Sequence, residues 1–160
     1  MPFFRLIPLA VTAFLALPLV AQACIMPAGA SAARAAMIQA VNAERRAQGL
    51  PALSSSPKLD RAAQQQACDN AARRSISHTG ADGSELATRL KRAGYRYRIA
   101  TENTGRGFAQ PQNAVDWWMN SGKHRTNILL RKTREIGVGL ALSDAPESRN
   151  HWIIVMGASK

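Results

Sequence analysis

Ile136-Gly137-Val138-Gly139-Leu140-Ala141-Leu142 places a large apolar residue at every second position, with glycine or alanine between. A period of two held over seven residues is the pattern of a β-strand. His151-Trp152-Ile153-Ile154-Val155-Met156 is a second such stretch. Residues 143–150 between them contain Asp144, Pro146 and Asn150 and suit the loop of a hairpin. Both faces of these strands carry apolar positions, which predicts a sheet covered on both sides.

The covering layers have to come from upstream. Residues 32–48 read as a helix with Ala33, Met37, Ala40, Val41 and Ala47 near one face, stopped by Gly49. Ser55-Ser56-Pro57 opens a second helix over 58–74, whose stripe of Leu59, Ala62, Ala63, Ala67 and Ala71 is small enough for another layer to approach closely. A third helix is expected over 85–93, capped by Ser84 and ended by Gly94, and a fourth opens at Pro111. Between these two, Tyr95 to Glu102 alternates weakly as a strand, and Asn103 to Ala109, with two glycines, reads as a loop. Helices first and strands last predict an α+β fold, a three-layer α-β-α sandwich with a small, mainly antiparallel sheet.

A chain of 160 residues is one domain's worth. With 46% hydrophobic and 19% charged residues it is too apolar to be disordered and too charged for a membrane bundle. Residues 1–23 differ from the rest. Arg5 precedes an apolar run from Leu6 to Leu17, and Ala21-Gln22-Ala23 offers a small-x-small cleavage pattern. Pro8, Pro18 and the shortness of the run favour a cleaved signal over a membrane anchor. The expected plan is a signal peptide over 1–23, a short linker over 24–31 and a single domain over 32–160. The mature protein would be secreted or periplasmic, without an integral membrane span. Cys24 follows the expected cut, so lipid anchoring through Cys24 is the alternative. Cys24 and Cys68 are the two cysteines, either free or joined as one disulfide in an oxidising compartment.

The formal net charge is +11. The cations are scattered, with no dense run. For an exported protein this points either to anionic envelope polymers or phospholipid headgroups as partners or to an ordinary solvated basic surface, and no nucleic acid is expected. Tyr95 and Tyr97 interleave with Arg96 and Arg98, either as a stacking surface for a ligand or as an ordinary solvent-facing strand. Of the three histidines, His78 and His124 lie in polar, glycine-containing loops, where a ligand-facing role is favoured over a core role. His151 begins a strand and reads as surface or structural.

Five segments resemble the CAP superfamily (SCP/pathogenesis-related-1-like domains) in its bacterial secreted form. They are Val41-Asn42-x-x-Arg45, Ser77-His78, Thr101-Glu102-Asn103, the run from Trp117 through Ser121 and His124 to Leu129, and Ile136-Gly137-Val138-Gly139. They fall in the family's order from about Met37 to Gly157. The resemblance implies a cleft carrying two histidines and two acids. Here the histidines are His78 and His124 and one acid is Glu102. The second acid's place falls at or near Ser121, so the set is reduced to His-Glu-His. Asn103, Trp118 and Ser121 are expected to complete the cleft.

Two imidazoles and a carboxylate could hold a divalent metal such as Zn²⁺, with His78, His124 and Glu102 as ligands or with Glu102 orienting a histidine. The competing reading is a hydrogen-bonded network that ties loops together. Three functions follow. The first is a non-enzymatic binding module for lipid or anionic envelope ligands, and the second a structural envelope protein without ligand. The third is a metal-dependent hydrolase using His78, Glu102 and His124.

Overall fold

A computed structural model describes residues 24–160; the expected signal segment lies outside them. In chain order the elements are α1 (Ala30–Ala47), β1 (Ser54–Ser55), α2 (Pro57–Ala72), α3 (Leu86–Arg92), β2 (Tyr97–Arg106), α4 (Pro111–Met119), α5 (Gly122–Ile128), β3 (Glu135–Leu142) and β4 (Asn150–Ser159). The four strands form one sheet in the order β1-β3-β4-β2. β4 runs antiparallel to both neighbours, and the two-residue β1 runs parallel to β3.

The alternation seen in the sequence sorts side chains to two cores. Ile136, Val138 and Leu140 of β3 join Trp152, Ile154 and Met156 of β4 under α1, α4 and α5, where Met37, Val41, Val115, Trp118 and Ile128 meet them. On the opposite face, Ala141, Ile153 and Val155 pack against Leu59, Ala62, Ala63 and Ala67 of α2 and Leu90 of α3. The first core is built from large side chains and the second from small ones. Gly137 and Gly139 carry that contrast to its limit. A Cβ on Gly137 would collide with the backbone of Leu59 and Asp60, and one on Gly139 with the backbone of Ala63. α2 therefore rests on the sheet backbone to backbone.

β1 is too short to cover the edge of β3, and an open edge is a template for unwanted pairing. Side chains of α2 close it. The Val138 N–H donates to Asp60 (2.8 Å) and the Leu140 N–H to Gln64 (3.0 Å), whose amide donates back to the Leu140 carbonyl (3.0 Å). The Leu142 N–H donates to the Ile25 carbonyl (2.7 Å). Ile25 is held there by the neighbouring Cys24–Cys68 disulfide.

Two motif residues of α1 have structural work. Asn42 pairs with both backbone groups of Leu53, accepting from its N–H (2.8 Å) and donating to its carbonyl (3.0 Å). Arg45, wholly enclosed, donates to the carbonyls of Pro51 (3.0 Å), Ile128 (2.7 Å) and Leu130 (3.2 Å).

One expected element is corrected. Asn103 to Arg106 is not loop but the second half of β2, with Asn103 opposite Ile154 and Gly105 opposite Trp152. Gly105 is there because the rings of Trp118 and Phe108 occupy the space above it.

Candidate functional site

β2 lies at one edge of the sheet, and successive residues of a strand point to opposite faces. Glu102 shares the face of Val155 and Asn103 that of Ile154. The Glu-Asn pair thus reaches into both helical layers from a single point of the edge, and each member holds one histidine segment.

On the α3 side, Glu102 is buried and its carboxylate is fully engaged. Oε1 accepts from His78 Nδ1 (2.9 Å), and Oε2 accepts from the guanidinium of Arg89 (2.7 Å). A carboxylate facing a guanidinium can only accept, so His78 donates from Nδ1 and its Nε2 is left for other partners. Arg89 is as enclosed as Glu102 and also donates to the carbonyls of His78 (3.0 Å) and Ser84 (2.8 Å). From α2, Gln66 and Asn70 donate to the Ser77 carbonyl at 2.8 and 3.0 Å. The His78 segment is pinned at its backbone and its ring, yet 56% of the His78 side chain stays exposed. The hydrogen bond to Glu102 raises the His78 pKa, the effect of burial opposing it.

On the α5 side, the Asn103 amide donates to the His124 carbonyl (3.1 Å), and Asn127 donates to Asn103 Oδ1 (2.8 Å) and to the Glu102 carbonyl on the strand's open edge (3.2 Å). Ser121 lies with its hydroxyl 2.9 Å from His124 Nδ1. The His124 pKa is lowered, first by burial and then by the charge of His78.

Trp118 does not line this site. It is fully buried in the first core, with its indole N–H donating to the Thr104 carbonyl (2.9 Å). Its neighbour Trp117 is 48% exposed and packs on His124, the ring centroids 5.2 Å apart, with Phe108 on its other side at 5.8 Å. Adjacent residues on a helix point about 100° apart, so only one of the two could be core. Asn103 is buried and supports the site from beneath.

Among the described residues no three His, Cys, Asp or Glu side chains come together in a metal-binding group. Glu102 meets His78 through Oε1 and the buried guanidinium of Arg89 through Oε2, so its carboxylate holds the His78 ring by Nδ1 and does not stand beside it as a third ligand. Zn²⁺ held by His78, His124 and Glu102 does not fit these residues. Glu102 instead orients His78.

Arg89 and Asn127 were not singled out from the sequence. A signal for Arg89 existed. Leu86, Arg89, Leu90 and Ala93 follow the i, i+3, i+4, i+7 pattern, so the arginine falls on the apolar stripe of its helix rather than on the solvated face.

The family model for CAP, the cysteine-rich secretory protein family, matches residues 38–156. The uncharacterized protein YkwD of Bacillus subtilis (strain 168) is 33% identical over 113 residues, 71% of this chain and 44% of that protein. The chain thus spans less than half the length of that relative. Among solved structures, an extracellular protein containing a SCP domain from Bacillus anthracis str. Ames superposes with a TM-score of 0.72 at 22% identity, covering 81% of this chain and 41% of the other. An outer surface protein from Borrelia burgdorferi gives 0.69 at 19%, covering 78% and 90%. At those identities the superpositions establish the fold. With the sheet, its two helical layers and the paired histidine segments in place, the chain belongs to the CAP family.

Proposed function

We propose that this CAP domain is a non-enzymatic binding module that works outside the cytoplasm and receives the anionic headgroup of a lipid, or a similar envelope group, at His78 and His124. The observation that carries the reading is the saturation of Glu102. A carboxylate already bonded to Arg89 and His78 is a poor general base and a poor metal ligand, but it favours the charged form of His78. Once protonated, an imidazole with a free Nε2 suits an anion. Exposed apolar side chains occur in both segments, Ile76 two residues before His78 in sequence and Trp117 packed against the His124 ring, as an amphiphile requires.

The hydrolase reading has less support. Ser121 touches His124, but an activated serine needs a base that is oriented in turn by a third group, and among the described residues no carboxylate bonds to His124. Export, by the same proposal, depends on cleavage at residues 21–23. Among the described residues no helix is long and apolar enough to cross a membrane.

The test is imidazole NMR of the mature chain titrated with dihexanoyl phosphatidylglycerol, with Zn²⁺ in a parallel titration. The expected result is saturable shifts of the His78 and His124 signals with the lipid, abolished by His124→Ala. Unmoved imidazole signals at millimolar lipid would overturn the reading, and tight stoichiometric Zn²⁺ uptake would restore the metal one. Mass spectrometry of the exported protein should find residue 24 at its N-terminus, bridged and not acylated.

A further inference from the structure

A different charged surface lies toward the start of β2. Tyr97 lies five positions before Glu102, roughly 16 Å along a strand. A concavity of about 640 Å³ there is lined by Lys91, Arg96, Arg98 and Lys160 together with Tyr95 and Tyr97. A second, of about 510 Å³, shares Tyr95, Arg96 and Lys160 with it and adds Lys58 and Arg61 of α2. The two make one trough with six cations, drawn from α2, α3, the α3–β2 connection, β2 and the residue after β4.

These cations lack counterions. None of the six takes part in an ion pair among the described residues. Arg61 donates to the Ala93 carbonyl and Arg98 to the Ser159 carbonyl, contacts that orient a guanidinium without neutralising it. Glu135 is the one acid lining the trough, and its carboxylate already accepts from the Tyr95 hydroxyl (2.7 Å). Like charges gathered in a concave surface focus a positive potential on whatever enters.

The shape and the lining choose between occupants. A bilayer is met by a flat or convex face with apolar side chains to insert. The exposed large apolar residues among those described are Ile25, Met26, Ile76 and Trp117, and none lines the trough. A narrow polymer needs only a channel with cations along it. Three of the six are arginines, whose forked donors match phosphate oxygens.

We propose that the trough binds one strand of a linear phosphate polymer, its successive phosphates meeting Arg96, Arg98 and Lys160 and then Lys58 and Arg61. This does not depend on the histidine site. The experiment is fluorescence anisotropy of the mature chain with labelled linear polyphosphate across a salt titration. Three variants are compared: Arg96→Ser/Lys160→Ser in the trough, Arg131→Ser/Lys132→Ser on the exposed surface after α5 with the same loss of charge, and His124→Ala. The expected result is at least a tenfold loss in the trough variant. Its slope of log affinity against log salt should be shallower by about 1.4, from two lost phosphate contacts. The other two should stay within twofold of wild type. Equal losses in both double variants would reduce the effect to net charge and overturn the proposal. So would equal or tighter binding to phosphatidylcholine–phosphatidylglycerol vesicles with the same sensitivity to the trough variant, and so would loss of polyphosphate binding in His124→Ala.

Discussion

Arg45 and Arg89 are equally enclosed, but their surroundings treat the charge differently. Among the described residues Arg45 forms no ion pair. Three carbonyls from segments 51, 128 and 130 face the guanidinium, and burial, with the charge of Arg134, lowers its pKa. Around Arg89 there are two carbonyls and the full negative charge of Glu102. The first arrangement ties the end of α1 to the α5–β3 connection with dipoles alone. The second spends an anion, and it does so where a histidine ring has to be oriented. A buried arginine can be a scaffold bolt or half of a site, and the presence of the carboxylate separates the two.

That distinction can be broken most forcefully at Arg89. Arg89→Met strands the Glu102 charge and should cost about 3–5 kcal/mol in urea unfolding. Adding Glu102→Gln should recover much of the loss, and a double variant no better than the single one would erase the difference between the two arginines. His151 asks what an enclosed titratable group does with no acid at hand. Burial and the charge of Arg106 lower its pKa to about 4. The fold thus prefers the neutral ring, and that contribution, complete above pH 6.5, drains away as pH falls toward 4. The shift corresponds to about 3 kcal/mol for this buried ring. A melting temperature that falls over this window in the wild type and much less in His151→Gln is the expected readout.

Arg45→Met strands no charge. It should cost about 2–3 kcal/mol through carbonyls left unpaired, with no added pH dependence. The smallest effect is expected at His78. Its raised pKa means that the contact with Glu102 stabilises fully below pH 6.5 and fades as pH rises through the folded value. With the ring half exposed, His78→Gln should cost less than about 1 kcal/mol.

The sequence made the sheet legible where side chains alternate by size, as in β3 and β4, and the helices where alanine and leucine recur on one face. It misled where residues that ordinarily mark loops were used inside a strand. Asn103 and Gly105 belong to β2 because one holds the α5 segment and the other leaves room for Trp118, and both reasons are tertiary. At the site, the two histidines and Glu102 could be named from motifs. Their division between the two faces of β2 could not be, because it depends on strand register. Nor could the role of Arg89, which looks like one more surface cation unless its place on the helical stripe is counted.

The contact of α2 with Gly137 and Gly139 has a consequence at a distance. With no side-chain layer to compress, the helix has no vertical play, and it carries Gln66 and Asn70, which grip the backbone just before His78. The height of that imidazole above the sheet is gauged by two missing methyl groups on a strand that never touches it. Thickening β3 there by a single carbon would tilt the helix like a shimmed hinge and move the ring off its carboxylate, with every residue of the site still present.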